Sequence, residues 1–235
     1  MKKTIGIIGG MGPLATADLF RKIVLMTDAA SDNDHIRIFI DDNTAIPDRT
    51  SAILSGGADP VEAMADSIRK LEQCGADCLI MPCNTAHYFL PRLRPLTGIP
   101  FLSMLEATAK ACAAAFPGKT AGVLATRGTL SSGVYERALQ SEGVDYLLPE
   151  EEDRDRLMQV IYKGVKKGAP IESVRGPMEE VLNHMSGADY FILGCTELPI
   201  AAEGLALPQR FVDPTAELAK AAIRFCGYQV KDPVQ

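Results

Sequence analysis

The chain has 235 residues, of which 47% are hydrophobic and 23% charged, and its formal net charge is −6. This composition is typical of a globular protein with one large or two small domains. The acidic balance gives no indication of a nucleic-acid partner, and no apolar stretch approaches the length of a membrane span. The first apolar run, Ile5–Ile8, is cut short by Gly9 and is too brief for a signal peptide. We therefore expect a cytoplasmic protein.

Short apolar runs alternate with amphipathic stretches from one end of the chain to the other. The apolar runs predict strands over residues 4–9, 36–40, 78–81, 99–102, 120–125, 145–148, 190–193 and 210–212. The amphipathic stretches predict helices, among them residues 13–29, 59–74, 105–116, 154–167, 177–185 and 214–227. Strands that are apolar on both faces and are followed by helices indicate parallel sheets covered on two sides.

Three segments of the chain occur twice and in the same order. The pairs are residues 75–83 with 187–195, 5–14 with 121–130, and 101–111 with 211–221. This order indicates a two-fold internal duplication rather than the many short repeats of a solenoid. It predicts an α/β protein of two pseudo-symmetric parallel-sheet α/β/α domains, each with about four strands. We place the first domain at 1–102 plus 213–235 and the second at 103–212, with the active site in the cleft between them.

Each copy of the repeat at 75–83 and 187–195 ends in a cysteine, Cys83 in the first and Cys195 in the second. Both cysteines follow a predicted strand, and ligands bind outside the carboxyl ends of parallel strands. Asn84-Thr85 and Thr196-Glu197 come next, and exposed N–H groups at such a helix start lower a thiol pKa and can hold a carboxylate. Two matched thiols suit one reaction in particular, the transfer of a proton from one face of a carbon to the other.

The other cysteines predict packing rather than chemistry. In a cytosolic chain all six cysteines are expected to be reduced. Cys74, Cys78 and Cys83 invite a metal interpretation, but Cys78 and Cys83 on one extended strand would lie roughly 16 Å apart. Because one zinc ion cannot bridge that distance, we expect no metal. Cys112 and Cys226, like Cys78, lie in apolar patterns typical of buried thiols.

The glycines after the first strand offer a competing interpretation. Residues 10–15 fit G-x-G-x-x-A, a pattern typical of dinucleotide-binding turns, but the expected acid about 20 residues on is absent at that spacing. Asp41 and Asp42, at the end of the second strand, could serve instead. A dinucleotide site leaves the duplicated cysteines unexplained. We therefore expect the glycines to let the backbone approach a small ligand, with Pro13 starting the helix.

Several of these segments resemble the cofactor-independent aspartate/glutamate racemase family, and its aspartate racemase branch most closely. The resemblance is carried by residues 11–16, 82–87, 194–197, 46–50 and 164–168, and it runs nearly end to end. In the glutamate racemase branch a histidine is expected where this chain has Glu197. The resemblance implies a homodimeric isomerase that interconverts L- and D-aspartate, or glutamate, without pyridoxal phosphate or another cofactor.

The resemblance also implies roles for individual residues. Cys83 and Cys195 would exchange the α-proton as acid and base, and Arg49 and Lys166 would grip the substrate carboxylates. The remaining candidates for substrate binding are Met11, Asn84, Thr85, Thr126 and Thr196. Thr126 is chosen because the repeat aligns it with Gly10.

Arg49 and Lys166 each have a simpler interpretation. Arg49 begins a predicted helix, where the helix dipole disfavours a cation, and a surface ion pair with a neighbouring aspartate would also explain it. Lys166 could belong to a solvated helix face with Lys163 and Lys167. His87 could assist Cys83, but a histidine in a first helical turn is more often a surface or capping residue, and we assign it no role.

Other functions fit parts of the pattern. Maleate isomerisation also uses two cysteines and a dicarboxylate, and hydantoin racemisation uses a similar scaffold. Arylmalonate decarboxylation needs only one of the two thiols, so the presence of both disfavours it. A catalytically silent dicarboxylate-binding protein is the alternative outside enzymes.

Overall fold

The computed structural model describes residues 2–231. It divides into two compact units, Met1–Ala107 with Thr215–Gln235, and Thr108–Pro214. The strands are β1 (Ile5–Ile8), β2 (Ile38–Asp41), β3 (Cys78–Ile80), β4 (Ala121–Ala125), β5 (Tyr146–Leu147), β6 (Tyr190–Gly194) and β7 (Phe211–Val212). The α-helices are α1 (Pro13–Met26), α2 (Arg49–Leu54), α3 (Val61–Gln73), α4 (Leu90–Leu93), α5 (Met104–Ala115), α6 (Arg127–Ser131), α7 (Val134–Ser141), α8 (Glu151–Met158), α9 (Arg175–His184), α10 (Leu198–Gly204) and α11 (Pro214–Phe225). None of the described helices is long and apolar enough to cross a membrane.

The first unit is built on a parallel sheet in the order β2-β1-β3. The central strand β1 is buried along its whole length because helices cover both of its faces. Ile5 and Ile7 pack with apolar side chains of α1 and α11, and Ile8 packs with those of α3. Alternate residues of a strand point to opposite faces, so this covering explains why β1 is apolar throughout rather than alternating.

The second unit has a parallel sheet in the order β5-β4-β6-β7. One face of this sheet contributes Leu124 and Leu193 to a core shared with α8, α9 and α10. As in the first unit, the central strands β4 and β6 are buried at every position. The predicted fold class, two parallel-sheet α/β domains, is confirmed.

The repeat seen in the sequence is confirmed in the strand register. Ile5 pairs with Cys78 in the first unit, and the matching residues Ala121 and Tyr190 pair in the second. The last strand of each half differs. Phe211 pairs with Phe191 within a two-residue ladder, whereas Phe101 forms only an isolated bridge.

The predicted strand at 99–102 is therefore wrong, and the first sheet has three strands rather than four. The segment still lies beside β3, since the Leu79 N–H donates to the Pro100 carbonyl at 2.9 Å and the Leu102 N–H donates to the Leu79 carbonyl at 3.0 Å. The ladder goes no further because Pro100 has no N–H to donate and Ser103 begins the cap of α5.

The repeated Gly-Ala-Asp segment has a structural purpose in both units. The carboxylate of Asp77 accepts the N–H of Thr4 at 2.7 Å, and that of Asp189 accepts the N–H of Thr120 at 2.8 Å. Each aspartate N–H in turn donates to the carbonyl of the same threonine at 2.9 Å. This double link fastens the start of the central strand to the strand that leads to the cysteine.

The single helix predicted for 154–167 is interrupted. It consists of α8, a π-helix over Gln159–Gly164 and a 3₁₀ turn over Val165–Lys167. Gly164 ends the π-helix, and a Cβ there would lie 2.3 Å from Val174 Cγ1. A side chain at position 164 would therefore clash with Val174 unless one of them moved, and Lys166 follows in the 3₁₀ turn rather than in a continuous α-helix.

Candidate active site

Cys83 lies in a tight turn beyond the end of β3. Its N–H donates to the Met81 carbonyl at 2.9 Å, and its side chain is buried within an apolar cluster that also contains Met11 and Ile46. Asn84 follows and is buried as well. The helix start expected from Asn84-Thr85 is a 3₁₀ helix over Thr85–Phe89.

His87 binds the main chain on both sides of its ring. Nδ1 lies 2.8 Å from the Cys83 carbonyl oxygen, and Nε2 accepts the N–H of Met104 at 3.0 Å. Ser103 Oγ accepts the N–H of Glu106, so the two side chains together cap the start of α5. Nε2 is thus the unprotonated nitrogen and Nδ1 the donor. Complete burial lowers the pKa of His87 to about 4, and its contact with Cys83 is with the carbonyl group rather than the thiol.

Arg49 is the first residue of α2, as predicted, and it is buried rather than on the surface. Nη1 donates to the carbonyls of Ile46 at 3.2 Å and Pro47 at 2.9 Å. Nη2 donates to the Met11 carbonyl at 3.2 Å. The guanidinium therefore joins the turn after β1 to the loop before α2. This contact brings together two of the predicted substrate-binding residues, Met11 and Arg49.

Cys195 follows the last residue of β6 directly and is buried. The preceding Gly194 leaves little room for a side chain, since a Cβ there would lie 3.0 Å from the Leu124 carbonyl oxygen and from Tyr135 Cε2. Thr126 leaves the neighbouring strand β4 at the same level, because Ala125 pairs with Gly194. Thr126 Oγ1 accepts the N–H of Thr129 at 3.2 Å and caps α6.

Glu197 connects Cys195 to Lys166. The Cys195 thiol donates to Glu197 Oε2 at 2.9 Å, and the Thr196 hydroxyl donates to the same oxygen at 3.3 Å. Lys166 Nζ lies 3.8 Å from Glu197 Oε1 and 4.5 Å from the centroid of the Tyr162 ring. Lys166 thus faces a buried carboxylate and an aromatic ring, an arrangement that the simple solvated-face interpretation did not predict.

The expected lowering of a thiol pKa is wrong for Cys195. Burial raises the pKa of this thiol well above its usual range, and the negative charge of Glu197 raises it further, with Lys166 opposing them. In the sequence, Glu197 belongs to the helix start after Cys195 and separates two branches of a family, and neither observation predicts its contact with the thiol. The position of Glu197, two residues after Cys195, was the one sequence signal for this contact. A carboxylate at that spacing reaches the thiol only when the turn after the strand folds back as it does after β6.

Three of the remaining cysteines are consistent with the packing roles predicted for them. Cys78, Cys112 and Cys226 are buried, Cys74 is exposed, and none of the six forms a disulfide in the part of the chain described. Cys78 and Cys226 are in contact, with 4.0 Å between their sulfur atoms. Within residues 2–231, no group of three His, Cys, Asp or Glu side chains is placed to hold a metal ion.

Comparison with known proteins places this geometry in a family. The family model described as Asp/Glu/Hydantoin racemase matches residues 8–222. The chain belongs to the Asp/Glu/hydantoin racemase family. It is accordingly an isomerase of the racemase type, as the resemblance in its sequence implied.

Individual relatives agree with this assignment. The racemase is similar to the aspartate racemase of Picrophilus torridus, with 33% identity, a TM-score of 0.84, and coverage of 97% of this chain and 96% of that one. It is 26% identical to the broad specificity amino-acid racemase RacX of Bacillus subtilis (strain 168), over 96% of this chain and 99% of the relative. It shares the fold of the Francisella tularensis glutamate racemase solved with D-glutamate, with 21% identity, a TM-score of 0.67, and coverage of 95% and 81%.

Proposed function

We propose that this racemase interconverts L- and D-aspartate by a two-base mechanism in which Cys83 and Cys195 exchange the α-proton, without pyridoxal phosphate. One observation carries the proposal. Each unit ends a buried parallel strand close to a buried cysteine, and the two strands occupy matching places in the two sheets. A two-base racemase needs two such groups, one to take a proton from Cα and one to return a proton to its other face.

The proposed step is balanced in protons. One cysteine thiolate takes the α-proton and becomes a thiol, which leaves a carbanion-like centre at Cα. The other cysteine gives its thiol proton to the opposite face and becomes a thiolate. Arg49 and Lys166 are proposed to bind the two carboxylates, with Met11, Asn84, Thr85, Thr126 and Thr196 completing the contacts.

Aspartate is proposed because the similarity to a protein named aspartate racemase covers nearly the whole of both chains. The alternative is a wider range of amino acids, which the equally complete similarity to a broad specificity racemase favours. The two substrate ranges differ by as little as one methylene, and a pocket discriminates such a difference by only about 1–3 kcal/mol. Parallel assays with aspartate, glutamate and uncharged amino acids separate them.

The experiment is an exchange assay in D₂O with purified, reduced enzyme, L-aspartate and no added cofactor. We expect deuterium to enter Cα while D-aspartate forms, and Cys83→Ala and Cys195→Ala to abolish racemisation. The absorbance spectrum of the same preparation tests the proposed independence from pyridoxal phosphate. Absence of exchange and of D-aspartate would refute aspartate racemisation, and maleate and hydantoins would then be tested before a binding-only role.

We also propose that the enzyme is a cytoplasmic homodimer. The resemblance to the aspartate racemases motivates this assembly, and a reaction that uses two free thiols suits a reducing compartment. Light scattering of the purified protein at several concentrations tests the dimer, which predicts a mass of about twice 25.3 kDa.

A further inference from the structure

Glu197 makes an unusual set of contacts for a buried carboxylate. It is 9% exposed, and its Oε2 accepts hydrogen bonds from both the Cys195 thiol and the Thr196 hydroxyl. Its only described cationic neighbour, Lys166, lies 3.8 Å away on the other oxygen, Oε1. A buried carboxylate requires such partners, and here one of them is a thiol that the proposed reaction uses.

We propose that Glu197 is a positioning residue that holds Cys195 as the proton-bearing thiol in the resting enzyme, so that Cys195 meets the substrate as the acid and the role of base falls to Cys83. The inference rests on the proposed two-cysteine function. It adds that the two cysteines are not equivalent before substrate binds, because one is preferred as the acid and the other as the base.

The physical reason is repulsion between like charges. Ionised Cys195 would place a second negative charge 2.9 Å from Glu197 Oε2, in a site where little water is present to screen it. The hydrogen bond acts in the same direction, because it is donated by the neutral thiol and is lost when the proton leaves. Lys166 offsets part of this effect but faces the far oxygen.

The other titratable group that faces Cys195 does not change this balance. Tyr135, on α7, interacts with Cys195, and burial raises the pKa of its hydroxyl well above its usual range. It therefore stays neutral at neutral pH. The charged groups that govern Cys195 among the described residues are Glu197 on the α10 side and Lys166 after the π-helix.

The free enzyme therefore has two forms, which differ in the cysteine that carries the proton and are unequal in free energy. In the form that Glu197 favours, Cys195 is the thiol, and the thiolate that starts a turnover is on Cys83. After one turnover Cys83 has gained the α-proton and Cys195 has given its own to Cα, so Cys195 is the thiolate beside Glu197. Exchange of one proton with solvent at each sulfur returns the enzyme to the resting form, and Glu197 favours that return.

This inequality has a kinetic consequence. The enantiomers have equal free energies, so their kcat/KM values must be equal in every variant. The enantiomer that presents its Cα–H to Cys195 must bind the rarer enzyme form, and its apparent affinity is reduced by the fraction of that form. We expect it to have the higher KM and, in the same proportion, the higher kcat. A structural role of Glu197 would not produce this split.

The deciding experiment follows the ionisation of Cys195 directly, by NMR of enzyme labelled with ¹³C at cysteine Cβ, with the signal assigned through Cys195→Ser. Glu197→Gln keeps the shape and removes the charge, and we expect it to lower the titration midpoint of Cys195 by about one pH unit or more. Glu197→Asp should lower it less, since the charge remains. Glu203→Gln makes the same substitution at an exposed position of the same helix and should leave the midpoint unchanged.

Lys166→Met is a second variant, for which the Cys195 titration midpoint should shift in the opposite direction. It allows the test to be made even if Glu197→Gln fails to fold. Loss of the cation should raise the Cys195 midpoint. A midpoint that moves in these two directions supports the assignment whatever the activity, and one that is the same in wild type, Glu197→Gln and Lys166→Met overturns it. Because the titration needs no turnover, failure of this inference is distinguishable from failure of the racemase proposal, which the exchange assay on the wild-type enzyme decides. As a second readout, the KM values for the two enantiomers should approach each other in Glu197→Gln.

Discussion

The two cysteine turns share a scaffold and differ in the side chains that follow the cysteine. In both units a buried strand pairs with a central strand in the same register and leads to a cysteine. After Cys83 the supporting residue is His87, a neutral imidazole that binds only main-chain groups in its described contacts. After Cys195 it is Glu197, a carboxylate that accepts a hydrogen bond from the Cys195 thiol.

The difference shows which part of a duplicated site is fixed by the fold. The paired aspartates, Asp77 and Asp189, fasten equivalent strands in the same way in both copies. The position two residues after the cysteine is Thr85 in one copy and Glu197 in the other. Strand register is thus common to the two halves, whereas the charge next to each thiol is specific to one half.

The largest expected effect comes from removing one thiol at a time. Cys83→Ser and Cys195→Ser should each reduce racemisation by roughly 10²–10⁴-fold, because each removes one of the two proton-transfer groups. With Cys83 intact, Cys195→Ser should still exchange the α-proton of one enantiomer with D₂O without inverting it. Cys83→Ser should show much less exchange, since the remaining thiol is held in its protonated form by Glu197.

Exchange is measured by NMR and inversion by chiral chromatography on the same samples. Cys74→Ser is the matched control, because Cys74 is exposed and lies outside the proposed site. Equal exchange of both enantiomers by Cys195→Ser would contradict the division of roles between the two turns.

The next effect concerns His87 and the pH dependence of stability. Its folded-state pKa of about 4 lies below the ordinary value of 6.5, so folding favours the neutral ring. The contribution of His87 to the free energy of unfolding is therefore complete above about pH 6.5 and is lost as the pH falls through about 4. The gap between the two values corresponds to about 3 kcal/mol.

Urea unfolding of the wild type and of His87→Gln at several pH values tests this expectation. The wild type should lose stability between pH 6.5 and 4 more steeply than the variant. His184→Gln is a comparison at a half-exposed ring that pairs with Asp153 at 2.9 Å, and it shows what the loss of a histidine with a carboxylate partner does to the same curve. Parallel curves for wild type and His87→Gln would show that the ring does not titrate as the buried contacts require.

These two turns also show what the sequence could and could not predict. Most strand positions and the placement of both cysteines after strands follow from apolar runs and a repeat, which can be seen in the sequence. The tautomer of His87 depends on Met104, far along the chain, and the contact of Glu197 with the thiol depends on how one turn is wound. Likewise, apolar residues at 99–102 predicted a strand that Pro100 and the cap at Ser103 reduce to a single bridge.

Substitution of Arg49 should have a smaller effect, and it distinguishes a role in substrate binding from a role in stabilising the fold. Its guanidinium donates to three main-chain carbonyls, a pattern that the single ammonium group of lysine cannot reproduce. Arg49→Lys should therefore lower the free energy of unfolding by about 1–3 kcal/mol. If Arg49 also binds a substrate carboxylate, the KM for aspartate should rise in the variant.

Thermal unfolding and steady-state kinetics at a temperature where the variant is folded give the two readouts. Arg92→Lys is a control in the same unit, because Arg92 is exposed and pairs with an exposed aspartate. A stability loss with an unchanged KM would restrict Arg49 to its structural contacts and would remove it from the proposed binding residues.

The smallest effect is expected at the residue before Cys195, where the two turns differ again. The chain has Pro82 before one cysteine and Gly194 before the other. In Gly194→Ala the new Cβ would lie 3.0 Å from the Leu124 carbonyl oxygen and from the Tyr135 ring, and neither is the far end of a flexible side chain. The strand or the ring must shift by a few tenths of an ångström, and we expect a loss of about 1 kcal/mol. Gly176→Ala, on α9 with open space around the position, should be neutral or slightly stabilising.

Because Tyr135 and Gly194 support the turn that holds Cys195, Gly194→Ala should also move the Cys195 titration midpoint, whereas Pro82→Ala should not. An unchanged midpoint together with unchanged stability would mean that the second turn is no more tightly packed than the first.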